Sequence, residues 1–243
     1  MEMDSSKADQ EDYVKKDMSG DDWGTIDDYW NWMDTWANGK LGRESNVEHY
    51  DFVPNHEEML QEAINLKHRF VAHRDEDQGG GYRHKGWQSL CIHGIDAEKT
   101  NHFEQYGYKS NEETPYTWTD IIDQCPVAYN FFKNIFPYKL YYRVRYMLLE
   151  PGGYITPHND SFDSKLSPIN MALNHPKGCK MKMKNHKGYV PFAPGKALLL
   201  DVSNTHAYVN DSNEDRYHII VHGSRDKEFE KLVERSYAKN GTQ

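Results

Sequence analysis

The run Tyr141-Tyr-Arg-Val-Arg-Tyr-Met-Leu-Leu149 continues into Glu150-Pro-Gly-Gly-Tyr-Ile-Thr-Pro-His158-Asn-Asp160, and these twenty residues decide the fold. The first part alternates in character along the chain, which predicts a β-strand with two different faces. The Pro-Gly-Gly sequence then predicts a turn. Residues two apart on an extended segment point to the same side, so His158 and Asp160 are expected to share one cation.

A second strand-like run, Leu198-Leu-Leu-Asp-Val-Ser-Asn-Thr-His206, ends at another histidine 46 residues beyond Asp160. Two histidines and one carboxylate on one face, with coordination positions left open, are the ligand set of non-haem Fe(II) oxygenases. A His-x-Asp pair alone is a weak signal in a chain with 13 histidines and 38 acidic residues. Its place directly after Pro-Gly-Gly strengthens it. The residues predicted as metal ligands, and as the catalytic centre, are His158, Asp160 and His206.

Short strands separated by Pro, Gly, Asn and Asp fill the second half of the chain. Cys179-Lys-Met-Lys-Met-Lys184 alternates sulfur-bearing and cationic side chains, as a strand with one buried face does. Several short strands at regular spacing favour an antiparallel sandwich or barrel. The remaining predicted strands are 169–174, 188–192, 197–201, 207–210 and 217–222.

Helices are predicted outside this β region. Asn55 is a suitable N-cap for a helix that runs to about Arg74, and residues 119–132 predict another, with Pro126 at its start or at a kink. We expect an acidic N-terminal arm over 1–45 with a short aromatic helix, then one domain over 46–243. That domain is expected to hold helical support at 55–135, a β core at 141–222 and a C-terminal helix at 224–240.

The net charge of −9 lies almost entirely in residues 1–35, where eleven acidic residues stand against three lysines. The rest of the chain is close to neutral, with 27 acidic and 26 basic residues. Neither part predicts a basic surface for nucleic acid.

The chain has no run of eighteen apolar residues, and its first residues are acidic rather than basic and then apolar. Neither a membrane span nor a signal peptide is therefore expected. Cys91, Cys125 and Cys179 are far apart and odd in number, which is typical of reduced thiols rather than of a disulfide framework. We expect a cytoplasmic protein.

Residues 141–222 resemble the aspartyl/asparaginyl β-hydroxylase branch of the 2-oxoglutarate- and Fe(II)-dependent oxygenases. An upstream strand, Gly86-Trp-Gln-Ser-Leu-Cys-Ile-His-Gly94, is similar to an early tryptophan-containing strand of that family. The likeness covers about two thirds of the chain. The matching segments are Leu149-Glu-Pro-Gly-Gly-Tyr-Ile-Thr-Pro-His158, Pro176-Lys-Gly-Cys179, Pro194-Gly-Lys-Ala-Leu-Leu-Leu-Asp-Val-Ser-Asn-Thr-His206 and Ala207-Tyr-Val-Asn-Asp-Ser212 with Arg216.

The resemblance implies a mainly β fold with flanking helices, in the form of a double-stranded β-helix, or jelly-roll barrel. It implies Fe(II) in the barrel mouth and 2-oxoglutarate held by Arg216. The implied reaction uses O2 and hydroxylates an unactivated C–H bond as 2-oxoglutarate becomes succinate and CO2. The implied substrate is an Asp, Asn or Pro side chain of a peptide, or a small amino-acid-like metabolite.

Elementary chemistry agrees with this role for Arg216. A dicarboxylate bound end-on to a metal extends its far carboxylate into the barrel, where a planar guanidinium can bind it bidentately. The competing interpretation is that Arg216 pairs with a carboxylate on a surface turn. The candidates for that pairing are Asp211, Glu214 and Asp215.

The sequence departs from the family pattern at three positions. Vertebrate-type members of the branch use two histidines without a carboxylate, whereas Asp160 is present here. The branch tends to place a small hydroxyl residue at the position of Met147 and an arginine at that of Asn170. Asn170 could still donate one hydrogen bond to the cosubstrate, and Arg145 could hold a carboxylate of cosubstrate or substrate.

Several alternatives remain open at the level of sequence. His218 rivals His206 as a ligand because it lies two residues past Arg216, and Asp163 could replace Asp160. A cupin-type metalloenzyme without 2-oxoglutarate is the second functional class. The third is a non-catalytic jelly-roll module that binds its ligand through aromatic side chains. Specificity is expected in the loops 101–116 and 161–167.

Overall fold

The structure, a computed structural model, describes residues 47–50, 55–73, 84–160, 168–184, 188–224 and 226–240. These residues form a mainly antiparallel β fold with few helices. The predicted N-terminal helix lies outside them. The strands are β1 (Val47–Tyr50), β2 (Val71–Ala72), β3 (His84–Gly94), β4 (Thr117–Trp118), β5 (Tyr141–His158), β6 (Ile169–Ala172), β7 (Cys179–Met183), β8 (Ala197–Leu200), β9 (His206–Asn210) and β10 (Arg216–Gly223). The helices are α1 (His56–Asn65), α2 (Pro126–Asn130) and α3 (Lys227–Asn240).

The strands form two layers that share β5. One layer has the order β1-β8-β6-β10-β5-β3-β2, with β4 beside β3, and the other has the order β5-β9-β7. The first half of β5 pairs with β10 from Tyr141 to Leu149, and its second half pairs with β9 from Tyr154 to His158. From β5 to β10 the chain alternates between the layers, which is the double-stranded β-helix, or jelly-roll, arrangement predicted from the resemblance. Among the strands that the structure describes, the sheet is not closed.

The prediction that a turn at Pro151-Gly-Gly breaks the strand was wrong, because β5 continues through Gly152 and Gly153 and only its pairing with β3 shifts register there, in a bulge. Gly152 has a φ of +69°, a left-handed conformation that glycine adopts without steric cost. A Cβ on Gly153 would lie 2.7 Å from the carbonyl oxygen of Glu150 and 2.9 Å from that of Lys85. The strand therefore changes layers at a point where only a residue without a side chain fits.

The period-two pattern of β5 separates two environments. Tyr146 and Leu148 are fully buried in the core that the sheet forms with the helices. Arg145 and Leu149, on the other face, line a cavity between the layers. One strand therefore supplies both the main core and the wall of the cavity.

A buried carboxylate joins the helices to β5. Glu62 of α1 accepts hydrogen bonds from the backbone N–H groups of Val127 and Ala128, at 2.7 and 3.1 Å, and from the Tyr146 hydroxyl at 3.1 Å. The first turn of α2 thus receives from α1 the acceptors that its own N-cap does not supply. Burial raises the pKa of Glu62, and these three donors act in the opposite direction.

Two other predictions about secondary structure were wrong, and a third was confirmed in part. The helix predicted to reach Arg74 ends at Asn65, because residues 71–72 pair with β3 instead. The helix predicted over 119–132 is confirmed in part: α2 begins at Pro126, one of the two roles expected of this proline, and a π-helical turn at Phe131–Ile135 follows it. Residues 188–192 form no strand, although Val190 donates one hydrogen bond to the carbonyl of Met181.

Two further predictions can be compared with the structure. The C-terminal helix is present as α3, three residues shorter at its start than expected. The region 55–135 holds β2, β3 and β4 as well as helices, so its support of the core is not only helical. Within the residues that the structure describes, no helix combines the length and apolar character needed to cross a membrane. Cys91, Cys125 and Cys179 are buried and form no disulfide.

Candidate metal centre

His158, Asp160 and His206 lie together at one end of the cavity. One donor atom from each can be chosen so that all three lie within 4.8 Å of one another. His158 is the last residue of β5 and His206 is the first residue of β9, and the two are register partners with ring centroids 4.3 Å apart. Asp160 follows β5, where its backbone N–H donates to the carbonyl of Val202 at 2.8 Å.

Both histidine rings are oriented by carbonyl groups of the backbone. His158 Nδ1 lies 2.8 Å from the carbonyl oxygen of Thr156, and His206 Nδ1 lies 2.9 Å from that of Asn204. A carbonyl only accepts, so each Nδ1 carries the proton and each Nε2 keeps its lone pair. A metal-binding histidine commonly has this arrangement, because the second nitrogen fixes the tautomer and the ring orientation.

Burial and charge also suit a cation here. His206 is 2% exposed, and burial lowers its pKa, with the Asp160 carboxylate acting in the opposite direction. Asp160 is partly exposed, with its Oδ1 3.9 Å from His158 Nε2. Two neutral imidazoles and one carboxylate are a donor set that fits a divalent transition metal and leaves coordination positions for other ligands.

The rival histidine has another contact. Arg216 Nη1 donates to His218 Nδ1 at 2.8 Å. Burial, followed by the charges of Arg216 and Arg145, lowers the pKa of His218 well below its usual value. His206, and not His218, is the register partner of His158 and lies beside it. Asp163, the other rival, lies outside the described residues.

Arg216 is buried next to this centre, at the start of β10. Only 2% of it is exposed, and its guanidinium carbon lies 4.7 Å from the ring centroid of Phe192 and 5.6 Å from that of Tyr208. Its Nη2 is buried and has no hydrogen-bond partner among the described residues. Burial lowers the pKa of Arg216.

The surface pairing considered for Arg216 is absent from the structure. None of the described carboxylates lies within 4 Å of its guanidinium, and Asp211 and Asp215 pair with Lys180 and Lys67 instead. A buried guanidinium with an unused N–H group is costly unless an anion binds it. The arrangement is therefore suited to an anionic ligand that enters the cavity.

The cavity has a volume of about 250 Å³ and includes the metal centre and Arg216. Asn170 is 1% exposed, and its Oδ1 has no hydrogen-bond partner among the described residues. Arg145 is 5% exposed, and its Nη1 donates to the carbonyl of Thr100 at 3.0 Å and to His73 Nε2 at 3.3 Å. All the residues predicted for the site therefore line one cavity.

Sequence reasoning missed part of the lining. His73 and Thr100 come from segments without any motif, and only the pairing of β2 with β3 and of β3 with β5 brings them to the cavity. The place of His222 in the cavity could have been predicted from the sequence, because His222 lies six residues after Arg216 and therefore on the same face of β10. Of the loops expected to set specificity, 101–116 contributes Asn101, His102 and Asn111 to the lining, whereas 161–167 lies outside the described residues.

A comparison with protein families matches residues 53–226 to the aspartyl/asparaginyl β-hydroxylase model. A comparison with curated proteins found no match. Among solved structures, a Pseudomonas putida prolyl-4-hydroxylase is similar at 16% identity and a TM-score of 0.42, over 74% of this chain and 93% of that one. A non-haem α-ketoglutarate-dependent epimerase from nogalamycin biosynthesis is similar at 13% identity and a TM-score of 0.43, over 80% and 81% of the two chains.

Proposed function

This chain belongs to the aspartyl/asparaginyl β-hydroxylase family, and from this premise we propose that it is an Fe(II)- and 2-oxoglutarate-dependent hydroxylase. Its substrate is a C–H bond of a peptide side chain or of a small amino-acid-like molecule. When bound together, Fe(II), 2-oxoglutarate and O2 supply the oxidation of an unactivated C–H bond, with succinate and CO2 as the other products.

The observation that carries the proposal is the combination of two features in one cavity. One is the group of His158, Asp160 and His206, and the other is a buried Arg216 whose Nη2 has no partner among the described residues. A metal site alone would suit many enzymes. The buried guanidinium of Arg216 also suits a cosubstrate that binds the metal at one end and carries a carboxylate at the other end, where Arg216 can bind it.

The residues of the chain have separate tasks in this proposal. The Nε2 atoms of His158 and His206 and the carboxylate of Asp160 hold the metal and leave one side of it open. Arg216 holds the far carboxylate of 2-oxoglutarate, and His218 keeps the guanidinium in place by accepting from Nη1. Phe192 and Tyr208 cover this pocket and exclude water from it.

The test measures cosubstrate binding and turnover separately. Binding of 2-oxoglutarate to the Mn(II)-loaded protein is followed by calorimetry, and succinate formation is followed with Fe(II) and O2. Arg216→Ala removes a charge-assisted contact worth about 1.5–3 kcal/mol, so we expect the Kd for 2-oxoglutarate to rise about tenfold or more. His158→Ala and His206→Ala are expected to abolish turnover through loss of the metal.

Arg69→Ala is the matched control, because Arg69 pairs with Glu98 and Asp120 on the surface outside the cavity. It should leave the Kd for 2-oxoglutarate unchanged. An unchanged Kd in Arg216→Ala would contradict the assigned role of the guanidinium. Metal binding without any affinity for 2-oxoglutarate would favour the cupin-type alternative.

A further inference from the structure

The cavity has a second group of cationic residues, or second region, besides Arg216. Arg143 and Arg145 of β5 line it, together with His222 of β10, which is the register partner of Arg143. Burial, followed by the charges of the two arginines, lowers the pKa of His222 well below its usual value. Among the described residues that line the cavity, Asp160 is the only carboxylate, against three arginines.

The second region is built from other residues than the Arg216 pocket. Arg216 pairs with Leu149 in the sheet, and Arg145 lies four residues before Leu149 on the same strand. Four residues of extended chain place the Cα atoms of Arg145 and Leu149 about 13 Å apart. The two guanidinium groups also have different contacts, since Arg216 contacts the ring of Phe192 and Arg145 donates to the carbonyl of Thr100.

One molecule of 2-oxoglutarate is too short to serve both regions. Its two carboxylate carbons are four bonds apart, which is about 5 Å at normal bond lengths. With one end at the metal and the other at Arg216, it leaves the region of Arg143 and Arg145 to another ligand.

The second region also offers uncharged polar atoms to that ligand. Thr100 is 1% exposed, and its Oγ1 is buried with no hydrogen-bond partner among the described residues. The Oδ1 of Asn101 is likewise buried and without a partner. The backbone carbonyls of these two residues accept from Arg145 Nη1 at 3.0 Å and from Arg143 Nη1 at 3.3 Å. The backbone contacts fix the guanidinium groups, and the two side-chain atoms stay available for a ligand.

We propose that Arg143, Arg145 and Thr100 form a subsite for the carboxylate of a small amino-acid-like substrate. This inference rests on the proposed function, because it assigns the Arg216 pocket to 2-oxoglutarate. The arginines and Thr100 bind the substrate carboxylate, and Asn101 Oδ1 accepts from its amino group. The carbon chain of the substrate then extends toward the metal centre at the other end of the same cavity.

The size of the cavity favours a small molecule over a peptide. Its volume of about 250 Å³ lies below the range of about 300–1,000 Å³ that is common for ligand pockets. Because 2-oxoglutarate takes part of this volume, a few carbon atoms and one charged end group fill the rest. Arg145, at 5% exposure, is also too deep for a surface contact with a folded partner.

The test uses the twenty proteinogenic L-amino acids and their C-terminal amides as probes of 2-oxoglutarate turnover. At least one free amino acid is expected to stimulate succinate formation by the Fe(II) enzyme, and its amide is expected to stimulate it at least about tenfold less well. Arg145→Gln and Arg143→Gln are each expected to raise the amino-acid concentration for half-maximal stimulation about tenfold or more. Arg69→Gln, which changes an arginine outside the cavity, should match the wild type.

Calorimetry separates this inference from the function on which it rests. If the Mn(II)-loaded wild type binds no 2-oxoglutarate, the proposed function fails, and the substrate subsite fails with it. If 2-oxoglutarate binds but no free amino acid stimulates turnover, or amides stimulate equally, only the subsite is overturned. It is also overturned if Arg145→Gln weakens 2-oxoglutarate binding as much as Arg216→Gln does. Should Arg145→Gln fail to fold, Arg143→Gln decides, because Arg143 is only partly buried.

Discussion

His158 and His206 present the same ring nitrogen toward the same point in space. In each case Nδ1 donates to the carbonyl of the residue two positions earlier, Thr156 or Asn204. This local contact needs no side-chain partner and orients the ring before any metal binds. The two rings are then brought side by side because β5 and β9 pair in a register that makes them partners.

Asp160 is the third member of this group and its only anionic ligand. Asp160→Gly removes one metal ligand and its negative charge, and leaves two imidazoles. We expect a loss of turnover greater than the 10–100-fold typical of changes outside the ligand shell, because geometry and charge both change. Succinate formation at saturating Fe(II) and calorimetric Mn(II) binding measure the effect.

Asp160→Asn is the matched variant, because it keeps the shape of the side chain and removes only its charge. It is expected to retain weak metal binding that the glycine variant lacks. Turnover near the wild-type rate in Asp160→Gly would move the protein to the two-histidine group of its family.

At the scale of elements, β5 is the connection between core and site. Its first half pairs with β10, its second half pairs with β9, and the bulge between them sets where His158 lies relative to Arg216. The position of the metal group relative to the cosubstrate pocket therefore depends on a backbone bulge and not on a side-chain contact.

Gly153→Ala tests this dependence. The added Cβ would lie within 3 Å of two carbonyl oxygens, so the bulge has to open. We expect the free energy of unfolding to fall by about 1–3 kcal/mol, as in other overpacked sites, and Mn(II) affinity to fall with it. Thermal unfolding and calorimetry measure the two quantities.

Gly152→Ala is the control for this change, because a Cβ there meets nothing within 4 Å and only the positive φ is disfavoured. It is expected to cost about 1–2 kcal/mol of stability with little effect on metal affinity. Equal metal affinity in both variants and the wild type would show that the bulge does not position His158.

At the scale of the whole molecule, several histidines have a lowered pKa near arginines. Burial, followed by the charge of Arg216, lowers the pKa of His175 to about 4. The pKa values of His218 and His222 are also lowered, first by burial and then by neighbouring arginines. In the folded protein these three histidines therefore take up protons only at a lower pH than ordinary histidines do.

This interior predicts instability in mild acid. The unfolded chain takes up protons at these histidines near pH 6.5, whereas the folded chain takes them up only at lower pH. The unfolded state thus binds more protons in this window, and the free energy of unfolding falls as the pH drops from about 7 to about 4. Thermal unfolding of the metal-free protein, measured from pH 8 to pH 4, should show a falling Tm.

His175→Gln should have a shallower dependence of Tm on pH, since it removes one of these groups. At pH 8 the ring is neutral in both states, so the difference there reports only the change in packing. A dependence identical to that of the wild type would exclude His175 as a contributor.

The sequence alone determined the features that depend on local periodicity and composition. Alternation along 141–149 predicted the strand, and the spacing of His158 and Asp160 predicted that they share one side, whereas the turn predicted at Pro151-Gly-Gly is a bulge within a continuous strand. Alternation and spacing are informative because the direction of a side chain on an extended strand depends on its own position in the chain. The resemblance over 141–222 added the jelly-roll architecture.

Only the tertiary structure decided which distant residues meet. The pairing of β5 with β9 places His206 beside His158, and the pairing of β10 with β5 buries Arg216 away from the surface carboxylates. The same applies to Arg145, whose neighbours His73 and Thr100 come from segments without a motif. Strand register and burial depend on contacts between residues far apart in the chain, and neither periodicity nor the spacing of residues encodes them.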